Sequence, residues 1–477
     1  MSESGTSVPS SSPVIPRSPV HVAIFWLSVL CWLGMAVATW PLSLSFGDEV
    51  GYIGQTRLMI QGRVHPTPMD PGIWYERHDV PGLIPKYPLF FSLLMVPFLA
   101  LSPSLVFVPG LLAGIALAWI ASRALESWGH SRLWGLIVLM DPTVVLLSRT
   151  VMADVGLAFL GLGTWYFVRR GAVWQTVLFA ALTMAIKTYG VVTVGAILAG
   201  QSLVLLREGR RPLPVLRLMA PLMIGMAIGA GITVALNLMS HGTVHSSYNV
   251  SASQAFGLRF LNTSGRAYWK SLVLCPPLLI AGVVPFWRRR DFGALFAIGA
   301  SIAMFSIYFF VDWGVGFLDS VVLSRRLILP VVAFLLVGYA ELLAQFFGRL
   351  PLARVARVAV VVMPALLALG LGLKHRQWQE PSYRALNRAE AWTQKIGDQE
   401  LGITPSAFKI GLLYPGRTVF VTGEGDRATP NLVLCHGDAG SYRMGGVRYS
   451  CEIPGYRVAE AMIDDGYYIL ERGTKAN

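Results

Sequence analysis

Two adjacent carboxylates, Asp48 and Glu49, follow directly on the first long apolar run of the chain. A carboxylate at a lipid boundary is partly stripped of water, which raises its pKa and strengthens it as a base. Tyr52 falls one helical turn beyond Asp48, so the two share a helix face. The acid pair alone also reads as an ordinary helix start, where negative charge complements the dipole. Asp154 is a third acid in a second short loop, and Lys86, Arg149, Lys187, Arg325 and Arg326 are cations beside apolar runs. Cations gathered at such a boundary suit a phosphate. Each has a structural alternative: Lys86 can snorkel, Arg149 can cap a span, and Lys187 sits in a tight turn where a cation needs a partner. Asp141 precedes Pro142 and reads equally as a site residue or a helix kink, and Glu341, inside a late apolar run, has no assignment. His65, His78, His241 and His245 read as polar loop residues, and no Cys or His spacing matches a zinc site.

The elements that must position these groups are apolar. Of 477 residues 54% are hydrophobic and only 14% charged, which no soluble fold of this length could bury. Runs long enough to cross a bilayer predict an all-α bundle of about eleven spans near 22–44, 104–122, 132–148, 152–168, 173–187, 189–206, 215–239, 271–286, 292–312, 327–347 and 355–373. The net charge of +13 gathers in short Arg clusters between the spans. Such clusters read as topology, not as a nucleic-acid face. With residues 1–21 as a cytoplasmic Ser/Pro-rich tail, nearly every short inner loop is basic. The odd count then exports the region 374–477 from the plasma or inner membrane. The run 87–101 is short and carries Pro88 and Pro97, so it reads as a helix in the outer interface. The acid pair, Tyr52, Lys86 and Tyr87 fall together in one long exported loop, 45–87.

In order along the chain, four further motifs accompany Asp48-Glu49, Tyr52 and Gly62: Lys86-Tyr87-Pro88-Leu89, Ser148-Arg149 followed by Asp154, Ala185-Ile186-Lys187-Thr188, and the fainter Arg325–Pro330. Together they resemble the C-type glycosyltransferase superfamily, in particular the protein O-mannosyltransferases, the aminoarabinose transferase of lipid A and bacterial relatives of the Rgt type. The resemblance covers residues 22–206 well. It departs at Leu89, where the family has a second Pro, and in the C-terminal region, which matches nothing assignable. It implies transfer of a sugar from a polyprenyl phosphate to a hydroxyl of an exported glycan, lipid or protein, with inversion. Asp48 would be the base, Glu49 would orient the acceptor or hold a cation, and Asp154 would join them. Lys86, Arg149, Lys187, Arg325 and Arg326 would bind the donor phosphate, and Tyr52 and Tyr87 would line the acceptor region. No organic cofactor is implied. A divalent metal stays open, because some members of the superfamily use one and others do not.

The rival readings are a lipid or sugar transporter of the envelope, and an assembly protein whose working part is the C-terminal region. A transporter places ionisable residues near the midplane, whereas these acids and cations gather at one boundary. The segments 417–423 and 466–472 alternate like strands and predict a small exported α+β appendage. Cys435 and Cys451 lie in it, and an exported compartment favours a disulfide between them.

Overall fold

The computed structural model describes residues 19–45, 47–65, 74–77, 80–85, 87–244, 256–308, 325–348 and 353–396, and five strands of the C-terminal region. Helix α1 spans Pro19–Ala38, α2 Gly47–Ile60, α3 Leu89–Leu101, α4 Val108–Ser127, α5 Pro142–Leu147, α6 Asp154–Arg170 and α7 Val173–Ile186. They are followed by α8 (Gly190–Arg207), α9 (Pro212–His241), α10 (Arg266–Leu274), α11 (Val283–Arg288), α12 (Phe292–Ser306), α13 (Leu329–Gly348) and α14 (Ala353–Ile396). Among the described residues six segments are long and apolar enough to cross a membrane: Pro19–Ala38, Pro103–Ser127, Gly190–Arg207, Pro212–His241, Leu329–Gly348 and Arg354–Glu380. The chain is a helical integral membrane protein. A short antiparallel hairpin, β1 (Trp74–Arg77) and β2 (Val80–Pro85), leads into α3.

The expected spans 132–148, 152–168, 173–187, 271–286 and 292–312 are not among these six, and three runs take a course that hydropathy alone does not predict. The run 132–148 divides into a 3₁₀ segment, Arg132–Met140, and the short α5. The cause is Asp141, whose Oδ1 accepts the N–H groups of Thr143 (3.0 Å) and Val144 (3.1 Å), while Pro142 takes the first helical position. A proline there loses nothing, because that N–H has no partner in a helix. The run 271–286 breaks into α10, a 3₁₀ turn at Leu279–Gly282 and α11. Pro276 and Pro277 lie in the break and carry no N–H for a continuous helix. The run 355–373 belongs to the 44-residue α14, which passes through the expected domain boundary at residue 374.

The core is aromatic and close-packed. Trp165 of α6 makes edge contacts with Trp128, Phe286 and Phe334 at 5.6–5.9 Å between ring centroids. The turn before α11 meets α13 at Gly282 and Gly338, where a Cβ on Gly338 would strike the Gly282 carbonyl and one on Gly282 the Leu335 carbonyl. Small residues let helix backbones approach in this way when lipid gives no hydrophobic drive between helices.

In the C-terminal region β3 (Glu400–Ile403), β4 (Arg417–Phe420), β5 (Leu432–His436), β6 (Tyr456–Met462) and β7 (Tyr467–Arg472) form one sheet in the order β4-β3-β5-β7-β6. Strand β3 runs parallel to β4 and β5, and β7 runs antiparallel to β5 and β6. Cys435 lies in β5, paired in register with Tyr468. Cys451, and with it the expected disulfide, lies outside the described residues.

Candidate active site

Helix α2 presents the acid pair in its first turn, where the dipole favours carboxylates. It ends at Gly62, whose φ of 71° is the left-handed conformation that glycine adopts at little cost. Two polar residues fix the helix sideways on α3. Gln55 donates to the Tyr87 carbonyl (3.0 Å) and accepts from Ser92 Oγ (2.7 Å). Thr56 donates to the Ser92 carbonyl (3.1 Å). These bonds stack the ring of Tyr87 on Tyr52, with centroids 4.7 Å apart, and set its hydroxyl to donate to Asp48 Oδ1. Tyr52 is fully buried and edges against Phe91, so it supports Tyr87 and does not line an open acceptor region as expected.

Asp48 and Glu49 part company. Asp48 Oδ2 pairs with Arg326 at 2.9 Å, and about a fifth of each side chain remains exposed. Glu49 is fully buried. It accepts the Ser45 N–H at 2.5 Å and the Val151 N–H at 2.7 Å. It therefore ties the loop before α2 to the loop before α6, and faces neither an acceptor nor a cation in those contacts.

Asp154 opens α6 and is fully buried. Its Oδ1 takes hydrogen bonds from Lys187 Nζ (2.6 Å) and Tyr189 Oη (2.9 Å), and Lys187 also donates to Tyr189 Oη (2.8 Å). Its Oδ2 has no hydrogen-bond partner among the described residues. Burial and the charge of Asp154 hold the Tyr189 hydroxyl well above the usual phenol range, so it stays a proton donor. Arg326, paired with Asp48, also feels the charge of Asp154. Burial works against its charge, but Asp48 and Asp154 outweigh burial and raise its pKa above the ordinary arginine value.

The remaining expected cations divide. Arg325, fully buried, turns from its neighbour to pair with Asp141 at 2.5 Å, and its Nε and Nη1 find no partner among the described residues. Arg149 donates to the carbonyls of Ala36 (2.9 Å) and Thr39 at the end of α1. Burial, followed by repulsion from Arg376, lowers its pKa to about 10. These contacts are those of a span cap, the alternative to the expected phosphate ligand. Lys86 lies outside the described residues. No group of three or more His, Cys, Asp or Glu that could hold a metal occurs among the described residues.

Three participants escape a reading of the sequence. Tyr189, two residues past Lys187, completes the Asp154 contact. His375 and Gln379 lie one turn apart on α14. His375 Nε2 meets Ser45 Oγ at 2.6 Å, and Gln379 binds the Leu42 N–H (2.9 Å) and Ser45 Oγ (2.9 Å). Two polar residues at that spacing near the end of an apolar helix are a visible signal, but the expected span stopped at residue 373, short of both.

No protein-family model matches the chain, and none of the curated proteins matches it by sequence. Solved structures do match. The crystal structure of ArnT from Cupriavidus metallidurans bound to undecaprenyl phosphate aligns over 96% of this chain and 98% of its own, with a TM-score of 0.60 at 15% identity. The apo structure of the same ArnT aligns over 85% and 87%, with a TM-score of 0.52 at 15% identity. This chain therefore has the fold seen in ArnT.

Proposed function

We propose that the chain moves a sugar from a polyprenyl-phosphate carrier to an acceptor hydroxyl at the outer face of the membrane. The observation that carries this reading is the partly exposed Asp48 carboxylate, held by Tyr87 and Arg326 beside a second acid–cation cluster, on the fold of a protein crystallised with undecaprenyl phosphate. The acceptor oxygen attacks the anomeric carbon, Asp48 takes the hydroxyl proton, and the bond from that carbon to the carrier phosphate breaks with inversion. A positioned base contributes roughly 10²–10⁴-fold to such a step. The leaving phosphate gains negative charge, which Arg326 stabilises, with Lys187 of the Asp154 cluster as a second cation. Lys86, Arg149 and Arg325 are secondary candidates for the phosphate, because the last two are already committed to main-chain and carboxylate partners. Asp154 orients Lys187 and Tyr189, and Glu49 holds the two loops together. In this reading eleven passes leave the acid site and the C-terminal sheet on the exported side.

The test is transfer from a synthetic polyprenyl-phosphate sugar by the purified chain in nanodiscs, with envelope lipids and glycans as acceptors. Product with inverted anomeric configuration is the expected result. Transport of the intact donor across the bilayer without bond cleavage would replace the transferase with a flippase.

A further inference from the structure

The end of the bundle remote from Asp48 carries a second feature that the transfer reaction does not use. Helix α8 begins beside Lys187 and Tyr189 and ends at Arg207, and its 18 residues reach about 27 Å, close to the thickness of a bilayer core. It crosses α12 where Gly200 presses on the backbone of Phe292. Beside this crossing an apolar groove of about 520 Å³ lies between Val191, Gly195 and Ala199 on one side and Phe296, Gly299 and Ala300 on the other. Leu295 also lines a second cavity of about 730 Å³. That cavity is bounded by Arg207, Arg289, Arg290 and Trp287, with Glu208 at its edge.

The charges in the second cavity are not balanced. Arg289 is committed to Glu341 through two bonds of 2.7 and 2.6 Å and lies over the Trp128 ring at 4.4 Å. Glu208 faces Arg210 at 3.6 Å. Arg207 stacks on Phe292 at 4.8 Å, and neither it nor Arg290 has a carboxylate partner among the described residues. Two exposed guanidinium groups beside an indole, in a cavity that shares Leu295 with an apolar groove, match one chemistry. It is an anion attached to an acyl chain.

We propose that this cleft binds one anionic phospholipid, with its phosphate between Arg207 and Arg290 and an acyl chain along the α8–α12 groove. The phosphate end of the site lies at the end of the bundle opposite the acid cluster, apart from the cations assigned to the donor phosphate. It rests on the membrane placement of the chain and stands whether or not the chain is a transferase. Arginine suits this use because its planar fork meets phosphate oxygens in pairs.

Native mass spectrometry of the full chain, released from detergent, tests the proposal with three probes: dioleoyl phosphatidylglycerol, dioleoyl phosphatidylcholine and inorganic phosphate. One phosphatidylglycerol should be retained at concentrations where phosphatidylcholine is not. Inorganic phosphate should not displace it, since the acyl chain supplies part of the affinity. The double variant Arg207→Gln/Arg290→Gln should weaken phosphatidylglycerol about tenfold or more. Gly195→Leu, whose new side chain enters open groove space, should weaken it with both arginines intact. Equal retention of the two lipids would overturn the proposal, and so would unchanged affinity in the double variant. Displacement by phosphate alone, or indifference to Gly195→Leu, would overturn the acyl-chain half and with it the assignment to a lipid.

Discussion

Glu49 accepts main-chain N–H groups from Ser45 and Val151 through its two carboxylate oxygens, and a glutamine there has only one oxygen to offer. Glu49→Gln should therefore lose stability, by about 1–3 kcal/mol for the buried N–H left unpaired, as read by thermal unfolding in detergent. Activity per folded molecule should fall less than the yield of folded protein. Lys187 follows the same reasoning with charge in place of a dipole. Its ammonium meets the fully buried Asp154. Lys187→Met strands a carboxylate and should cost about 3–5 kcal/mol. Lys187→Met with Asp154→Leu removes both charges and should recover most of that loss. A double variant no more stable than the single one would show that Lys187 is held by something other than Asp154. Much of this chemistry is legible in the sequence as residue types: the acid pair, Tyr52, Tyr87 and the cations are named by spacing and resemblance, whereas Tyr189 is not. Which oxygen faces which donor is not legible. Asp48 and Glu49 are neighbours in the chain, and only the loops before α2 and α6 decide that one is buried and the other partly exposed.

At the scale of elements, the site is held by helix ends. Arg149 satisfies the carbonyls of Ala36 and Thr39, which the end of α1 leaves without intrahelical partners. His375 and Gln379 of α14 hold Ser43 and Ser45 in the following loop. Arg149→Met should raise hydrogen–deuterium exchange across residues 36–45 and lower the unfolding temperature. If Arg149 instead served the carrier phosphate, the variant would weaken donor binding while exchange in that segment stayed unchanged. Hydropathy reads the long helices well, because a run of ~20 apolar residues has few other solutions in lipid. It fails at 132–148 and 271–286, where Asp141, Pro142, Pro276 and Pro277 interrupt runs whose average hydropathy is still that of a span. A window average cannot register a cap or a missing N–H, and both decide where a helix stops.

Across the whole molecule, charge separates the two ends. Asp48, Asp154, Lys187 and Arg326 gather at one end. At the other, Arg169 pairs with Asp291 at 2.8 Å, Arg289 with Glu341, and Arg123 and Arg132 with Glu126. The latter end carries the basic loops that the positive-inside rule assigns to the cytoplasm. In a chain with its four cysteines changed to serine, Ser104→Cys should react with a membrane-impermeant thiol reagent applied to intact cells. Arg210→Cys should react only after the membrane is opened. The reverse pattern would invert the topology and remove the site from the exported face. The central claim is that Asp48 is the base, and the most direct measurement of it is single-turnover transfer from a synthetic polyprenyl-phosphate sugar in nanodiscs by Asp48→Asn. Asparagine keeps the size of the side chain and can still meet Tyr87, but it cannot take the acceptor proton. The account predicts a loss of roughly 10²–10⁴-fold in rate, with donor binding and unfolding temperature near those of the unaltered chain. Turnover close to that of the unaltered chain would contradict it.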